Sequence, residues 1–138
     1  MCSGGDGGND KNRSGGCLCG SIRFEVTGEP GNPHTCSCDI CQRHSGAPSL
    51  AWVEFERDAV TWTGEGGAPS TFRSSDYSSR AFCPVCGSTL GAIDDAPTVA
   101  LVSGSFDDRD DEALRPLSYS FEDVCPAWAR IKGMSPAE

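Results

Sequence analysis

Seven of the chain's nine cysteines fall into three short runs: Cys17-Leu18-Cys19, Cys36-Ser37-Cys38-Asp39-Ile40-Cys41 and Cys83-Pro84-Val85-Cys86. Thiols two or three residues apart bridge one another only with strain, but they readily direct two sulfurs at one tetrahedral ion, and zinc suits that donor set. The outer two runs pair as one site. In a strand, Cys17 and Cys19 would leave the same face, with Leu18 packed behind them. Cys83-Pro84-Val85-Cys86-Gly87 reads as a zinc knuckle, in which Pro84 favours the turn and Gly87 is free to take a positive φ. Joining the halves closes a loop of 63 residues between Cys19 and Cys83. Structural zinc binding, worth about 10–16 kcal/mol, offsets that entropy cost.

The middle run offers three thiols within six residues. Three protein ligands leave a tetrahedral ion one open position, and a thiol arriving there, with a free pKa of about 8.5, would lose its proton near neutral pH. A positioned thiolate is a carbon nucleophile. Two other readings stay open for this run. His34 or His44 would close it as a fourth ligand, or an iron–sulfur cluster would occupy it, although no fourth cysteine lies nearby. Taken singly, His34 follows Pro33 in a predicted loop and His44 sits among polar Arg43 and Ser45, so each reads as a surface or turn residue. Cys125, alone in Val124-Cys125-Pro126, reads as a small buried residue, and Cys2 belongs to the N-terminal tail.

The elements that must hold these residues are short strands. Ile22, Phe24 and Val26 alternate with Arg23, Glu25 and Thr27 before the turn residues Gly28-Glu29-Pro30-Gly31. Further strands are expected at Leu50 to Phe55, Val60 to Thr63, Thr71 to Arg73, Thr89 to Ile93, Val99 to Val102 and Leu117 to Phe121. Helix is expected only as a turn or two at Asp110 to Leu114 and at Pro126 to Ile131. The organisation is a disordered Gly-rich tail over 1–14, one zinc domain over 15–132 and a short tail over 133–138.

A net charge of -9, with 20 acidic residues against 11 basic ones, excludes a basic stripe for nucleic-acid backbones. The acidic run Asp107 to Glu112 reads as a solvated loop. No stretch approaches the roughly 20 apolar residues of a membrane span, and the first residues are polar rather than an apolar leader. Odd cysteine number and ligand-like spacing favour reduced thiolates, hence a cytoplasmic setting.

Three ordered motifs carry a family resemblance: Gly16-Cys17-Leu18-Cys19-Gly20, the segment from Cys36 to Pro48 containing Gln42-Arg43-His44-Ser45-Gly46, and Arg80-Ala81-Phe82-Cys83-Pro84-Val85-Cys86-Gly87-Ser88. Trp62-Thr63-Gly64 and Phe72-Arg73-Ser74-Ser75 add to them. From about Gly15 to Lys132 the chain resembles the glutathione-dependent formaldehyde-activating family, which includes centromere protein V-like proteins. The resemblance implies a compact, mainly β zinc fold with two zincs per chain. One is structural, on Cys17, Cys19, Cys83 and Cys86; the second, on Cys36, Cys38 and Cys41, is catalytic.

The implied reaction is condensation of glutathione with formaldehyde to S-hydroxymethylglutathione, carbon–sulfur lyase chemistry when run backwards. The developing alkoxide needs a positive neighbour, for which Arg80 and Arg73 are the candidates. Many relatives carry a histidine and an apolar strand where this chain has Pro116-Leu117-Ser118-Tyr119-Ser120, so the thiol and the aldehyde stay open. Two other functions remain: a non-catalytic zinc module displaying Trp52, Trp62 or Trp128, and a reductase like the B-type methionine sulfoxide reductases, using Cys125.

Overall fold

Strand β2, Arg23–Thr27, buries Phe24 and Val26 and turns Glu25 and Thr27 to solvent, the outcome of its period-two alternation. It is the middle strand of a three-stranded antiparallel sheet, between β1, Asn12–Gly16, and the strand Val60–Trp62. The structure is a computed structural model describing residues 11–130 together with the strand Ser135–Pro136. It is mainly β. In chain order the elements after β2 are β3 (Gly31–Cys36), α1 (Asp39–Ser45), β4 (Leu50–Glu56), β5 (Val60–Trp62), β6 (Ser70–Arg73), β7 (Ser78–Phe82), β8 (Thr89–Asp94), β9 (Thr98–Val102), β10 (Ser118–Ser120) and β11 (Ser135–Pro136).

The second sheet has eight strands in the order β11-β10-β3-β4-β9-β8-β7-β6, antiparallel from β3 through β6, with β10 parallel to β3. Its central strands are apolar on both faces, and the faces do different things. Val53 and Phe55 of β4, with Val99 and Leu101 of β9, meet Phe24, Val26 and Phe106 in the main core. Burying each such side chain is worth about 1.5–3 kcal/mol. Trp52 and Val102 point the other way, where Ala92, Ala100 and the middle cysteines surround them. The small sheet therefore closes one face, and the other is left for a site. No helix among the described residues is long and apolar enough to cross a membrane.

Several elements depart from the sequence expectation, among them β7, which carries Arg80 and which no expected strand covered. The expected tail ends earlier: β1 begins at Asn12, because Arg13 is drawn inward by Asp111 and Gly15 lies against the Ser105 backbone and the Phe24 ring, where a side chain would clash. Cys2 and most of that tail lie outside the described residues. Cys17 to Cys19 form a turn rather than a strand. The ladder ends at Gly16, and Gly20, at φ 86°, reverses the chain. His34 is in β3, not in a loop; Pro33 is accommodated where the β3–β4 register slips between Gly31 and His34, so that its missing N–H breaks no regular ladder.

Helix α1 was not anticipated. The Cys38 sulfur caps its first turn by accepting the Cys41 N–H, and Gly46, in the left-handed conformation, ends it by donating to the Gln42 carbonyl. The turns expected near residues 110–114 and 126–131 are short 3₁₀ turns at Glu112–Leu114 and Ala127–Ala129.

Candidate functional site

The outer cysteines meet where the turn after β1 faces the turn joining β7 to β8. The four sulfurs of Cys17, Cys19, Cys83 and Cys86 all lie within 4.8 Å of one another. Cys17 and Cys19 sulfurs are 3.7 Å apart and Cys19 and Cys83 sulfurs 3.8 Å. Four sulfurs each about 2.3 Å from one tetrahedral ion stand about 3.8 Å apart, so this donor set fits zinc as it lies. Backbone N–H groups already point at the sulfurs: Ile22 donates to Cys17, and Val85 and Cys86 donate to Cys83. Such donors favour the thiolate, and a hydrogen bond with the Ser88 hydroxyl leads in holding the Cys86 thiol down to about 5. Gly87 takes φ 82°, as the knuckle requires. The cluster packs with Ile22, Ala81 and Leu90, so a metal there ties the small sheet to the large one.

The middle cysteines sit on the open face. Cys36 ends β3, Cys38 caps α1 and Cys41 lies in its first turns, and their three sulfurs are also within 4.8 Å of one another. No histidine nitrogen or carboxylate joins this group among the described residues. A hydrogen bond with Cys41 leads in holding Cys36 down to about 5, and the Ser120 hydroxyl helps against the opposing effect of burial. The same bond and burial push Cys41 up. Three converging sulfurs, one of them readily ionised, could hold a cation and leave it one ligand short.

That missing side opens into a cavity of about 490 Å³. Its floor is the sheet: Glu54 of β4 stands opposite Ala100 of β9, Ala100 opposite Ala92 of β8, and Ala92 opposite Arg80 of β7. To reach from β7 to β4 the Arg80 side chain crosses β8 and β9, where the two alanines present only methyl groups. Its guanidinium carbon lies 5.0 Å from the Trp52 ring centroid, and Nη2 donates to the Cys41 sulfur at 3.5 Å. Nε and Nη1 are buried and have no partner. A cation held against an aromatic ring in the wall of the cavity places positive charge where an oxyanion could be met.

Of the two arginines singled out in the sequence, only Arg80 reaches the cavity. Arg73, on edge strand β6, makes a bidentate ion pair with Asp95 through bonds of 2.8 and 2.7 Å and is not part of the cavity wall. His34 does line the cavity, and its Nδ1 lies 2.7 Å from the Asn32 carbonyl oxygen. A carbonyl only accepts, so Nδ1 carries hydrogen and Nε2 is left as the basic nitrogen. Burial first, and then the charge of Arg80, pushes the pKa of His44 down.

Trp52 is buried beneath Arg80, Trp62 packs on Phe24, and Trp128 alone of the three is exposed. Cys125 is buried beside a void of about 10 Å³. Ser120 and Glu54 complete the wall without any sequence signal to flag them. Only the pairing of β10 with β3, which puts Ser120 beside Cys36, brings Ser120 to the site.

A family model described as "Glutathione-dependent formaldehyde-activating enzyme" matches residues 12–123. A Schizosaccharomyces pombe protein named as an uncharacterized lyase is 29% identical over 76 residues, which are 55% of this chain and 53% of that protein. The chain thus spans about half the length of this curated relative. A crystal structure of a Rhodobacter sphaeroides protein superposes with a TM-score of 0.57 at 18% identity, covering 77% of this chain and 98% of that one, and so shares the fold.

Proposed function

The chain belongs to the glutathione-dependent formaldehyde-activating family, and from that premise we propose that it is a zinc-dependent carbon–sulfur lyase-type enzyme joining a small thiol, glutathione or a relative of it, to formaldehyde or another aldehyde. The observation that carries this is the meeting, in one cavity, of three convergent sulfurs with the half-idle guanidinium of Arg80. On this reading Cys17, Cys19, Cys83 and Cys86 hold a structural zinc, and Cys36, Cys38 and Cys41 a second one. Zinc on those three sulfurs would supply Lewis acidity that lowers the pKa of a thiol entering its open position.

The remaining work falls to side chains. His34 Nε2 accepts the thiol proton while Nδ1 stays bonded to the Asn32 carbonyl. As the sulfur lone pair forms the new carbon–sulfur bond, the carbonyl π pair moves onto oxygen, and the positive charge of the Arg80 guanidinium, which lines the cavity, stabilises it. Trp52 keeps the guanidinium in place. The proton held by His34 then completes the hydroxyl, so the sum is thiol plus aldehyde to hemithioacetal, S-hydroxymethyl where the aldehyde is formaldehyde, and reversal of the same steps is the lyase direction.

Neither competing function has comparable support. The cavity beside Cys125 is too small for a methionine sulfoxide side chain, and a tryptophan-displaying module retains only Trp128. Because thiols add to formaldehyde unaided, the test is a rate: exchange NMR of ¹³C-formaldehyde with its glutathione adduct, with and without the zinc-loaded protein. Acceleration by the wild type that disappears in Cys36→Ser supports the reading. Exchange no faster than in buffer overturns it.

A further inference from the structure

Phe121, the residue that follows β10, stands in the left-handed region at φ 59° and ψ 38°. A bulky side chain is strained there, whereas glycine or asparagine is at ease. Hydrogen bonds on both sides hold the chain in that conformation. The Ser37 N–H donates to the Ser120 carbonyl at 3.1 Å, and the Val124 N–H donates to the Phe121 carbonyl at 3.0 Å. Gln42 Nε2 then donates to the Val124 carbonyl at 3.1 Å. Ser37 lies between Cys36 and Cys38, and Gln42 follows Cys41 in α1, so the strained residue is tied to the segment that carries the middle cysteines. Burial gives no reason for it, since Phe121 stays 57% exposed. It does line the main cavity. Backbone strain of this kind gathers where a protein contacts a ligand.

Two further apolar side chains line the same cavity while open to solvent, Tyr77 at 66% and Ile40 at 36% exposure. They come from separate elements, Tyr77 from just ahead of β7 and Ile40 from α1, so the mouth of the cavity is apolar at three points. Formaldehyde carries no substituent that could meet them. In a larger aldehyde the oxygen and the substituent leave the same carbon, so with the oxygen turned to Arg80 the substituent begins beside that arginine. Ile40 stands with Arg80 in the wall shared with a neighbouring cavity of about 320 Å³, which puts the apolar mouth on that side. We propose that Phe121 is a specificity-determining residue, which with Tyr77 and Ile40 receives the aromatic or branched aliphatic substituent of an aldehyde larger than formaldehyde. This rests on the reading of the three-sulfur cavity as the place where thiol and aldehyde meet. A ring or alkyl group lying against Phe121 takes apolar surface on both partners out of water.

The test separates recognition from chemistry. The benzyl and methyl thioethers of 2-mercaptoethanol have the skeletons of its benzaldehyde and formaldehyde adducts without the hydroxyl, and neither can react. Their binding to the zinc-loaded chain, followed by ligand-observed NMR, therefore reads recognition alone. The wild type should hold the benzyl thioether about tenfold more tightly than the methyl one. Phe121→Asn suits the left-handed backbone but lacks the ring; it should lose most of that preference with zinc content unchanged and no fall in the unfolding midpoint. Phe121→Tyr should keep the preference. A wild type that does not favour the benzyl thioether would overturn the proposal, as would a preference undiminished in Phe121→Asn, or one lost as fully in Phe121→Tyr. A preference that depends on Phe121, in a protein that fails to accelerate adduct exchange, would keep the apolar subsite and remove the catalytic reading beneath it.

Discussion

Arg13 and Asp111 offer the sharpest energetic test of how the strand ahead of the first cysteine pair is anchored. Their side chains are only 7% and 10% exposed, and Nε of Arg13 lies 2.6 Å from Oδ2 of Asp111. A second arginine nitrogen, Nη1, donates to the Gly28 carbonyl at 2.9 Å. Replacing Arg13 with Ala leaves the largely buried Asp111 carboxylate with only the exposed Lys11 ammonium and the Ala113 N–H, and the Gly28 carbonyl without its donor; breaking a buried pair in this way costs about 3–5 kcal/mol. For a domain of this size each kcal/mol is about 4 °C, so the midpoint of thermal unfolding should fall by about 12–20 °C. Replacing both residues together, Arg13→Met with Asp111→Leu, leaves no orphaned charge and should recover most of the loss.

The pH dependence has a defined sign. Burial alone would raise Asp111, yet the Arg13 bond and the Ala113 N–H outweigh it and hold the carboxyl down to about 2. An unfolded aspartate titrates near 3.9, so the folded value is depressed: the stabilisation is complete above about pH 5 and is lost as pH falls from about 4 through 2. Calorimetry of the wild type against Asp111→Asn should show the stability gap narrowing in that window; acid release of metal is common to both and cancels in the difference. A loss below 1 kcal/mol in Arg13→Ala, or a gap that does not change with pH, would refute the argument.

Cys83→Ser removes one of four sulfurs from the site joining the two sheets and should lower bound zinc by one per chain and the unfolding midpoint with it, read by metal mass spectrometry and calorimetry. Arg80→Met keeps the stem over Ala92 and Ala100 but deletes the donors, so turnover should drop about a hundredfold with zinc content unchanged. His34→Gln can still donate to the Asn32 carbonyl but cannot take the thiol proton, so turnover should fall by about 10²-fold with zinc content unchanged. Cys125→Ser should leave turnover unaltered, since that thiol lies away from the cavity.

What the residues reveal unaided follows from how local each feature is. Cys83 to Gly87 could be read directly, because a knuckle is a five-residue structure whose turn residue, Gly87, is visible in the sequence. The alternation of Phe24 and Val26 was equally plain. Helix α1 was not, because only Cys41 among its seven residues is buried, so no apolar stripe marks it, and its cap is a sulfur rather than a hydroxyl or carboxylate. Arg73 and Arg80 look alike in sequence. What separates them is that Asp95 meets the first, whereas the second faces two alanines that let it cross the sheet. Ala92 and Ala100 carry no signal of their own, and Pro33 disguised the strand that brings His34 to the cavity. Long-range register, invisible in any short window, assembles the site.

If the three sulfurs of Cys36, Cys38 and Cys41 form a metal site with a position open to thiols, cobalt reports it directly. In cobalt-substituted protein, thiolate-to-metal charge-transfer absorption scales with the number of sulfurs bound. Titrating glutathione into the wild type should raise that absorption to a saturating plateau worth one additional sulfur per chain, with no such rise in Cys36→Ser. A wild-type spectrum already complete and unmoved by glutathione would contradict the central claim.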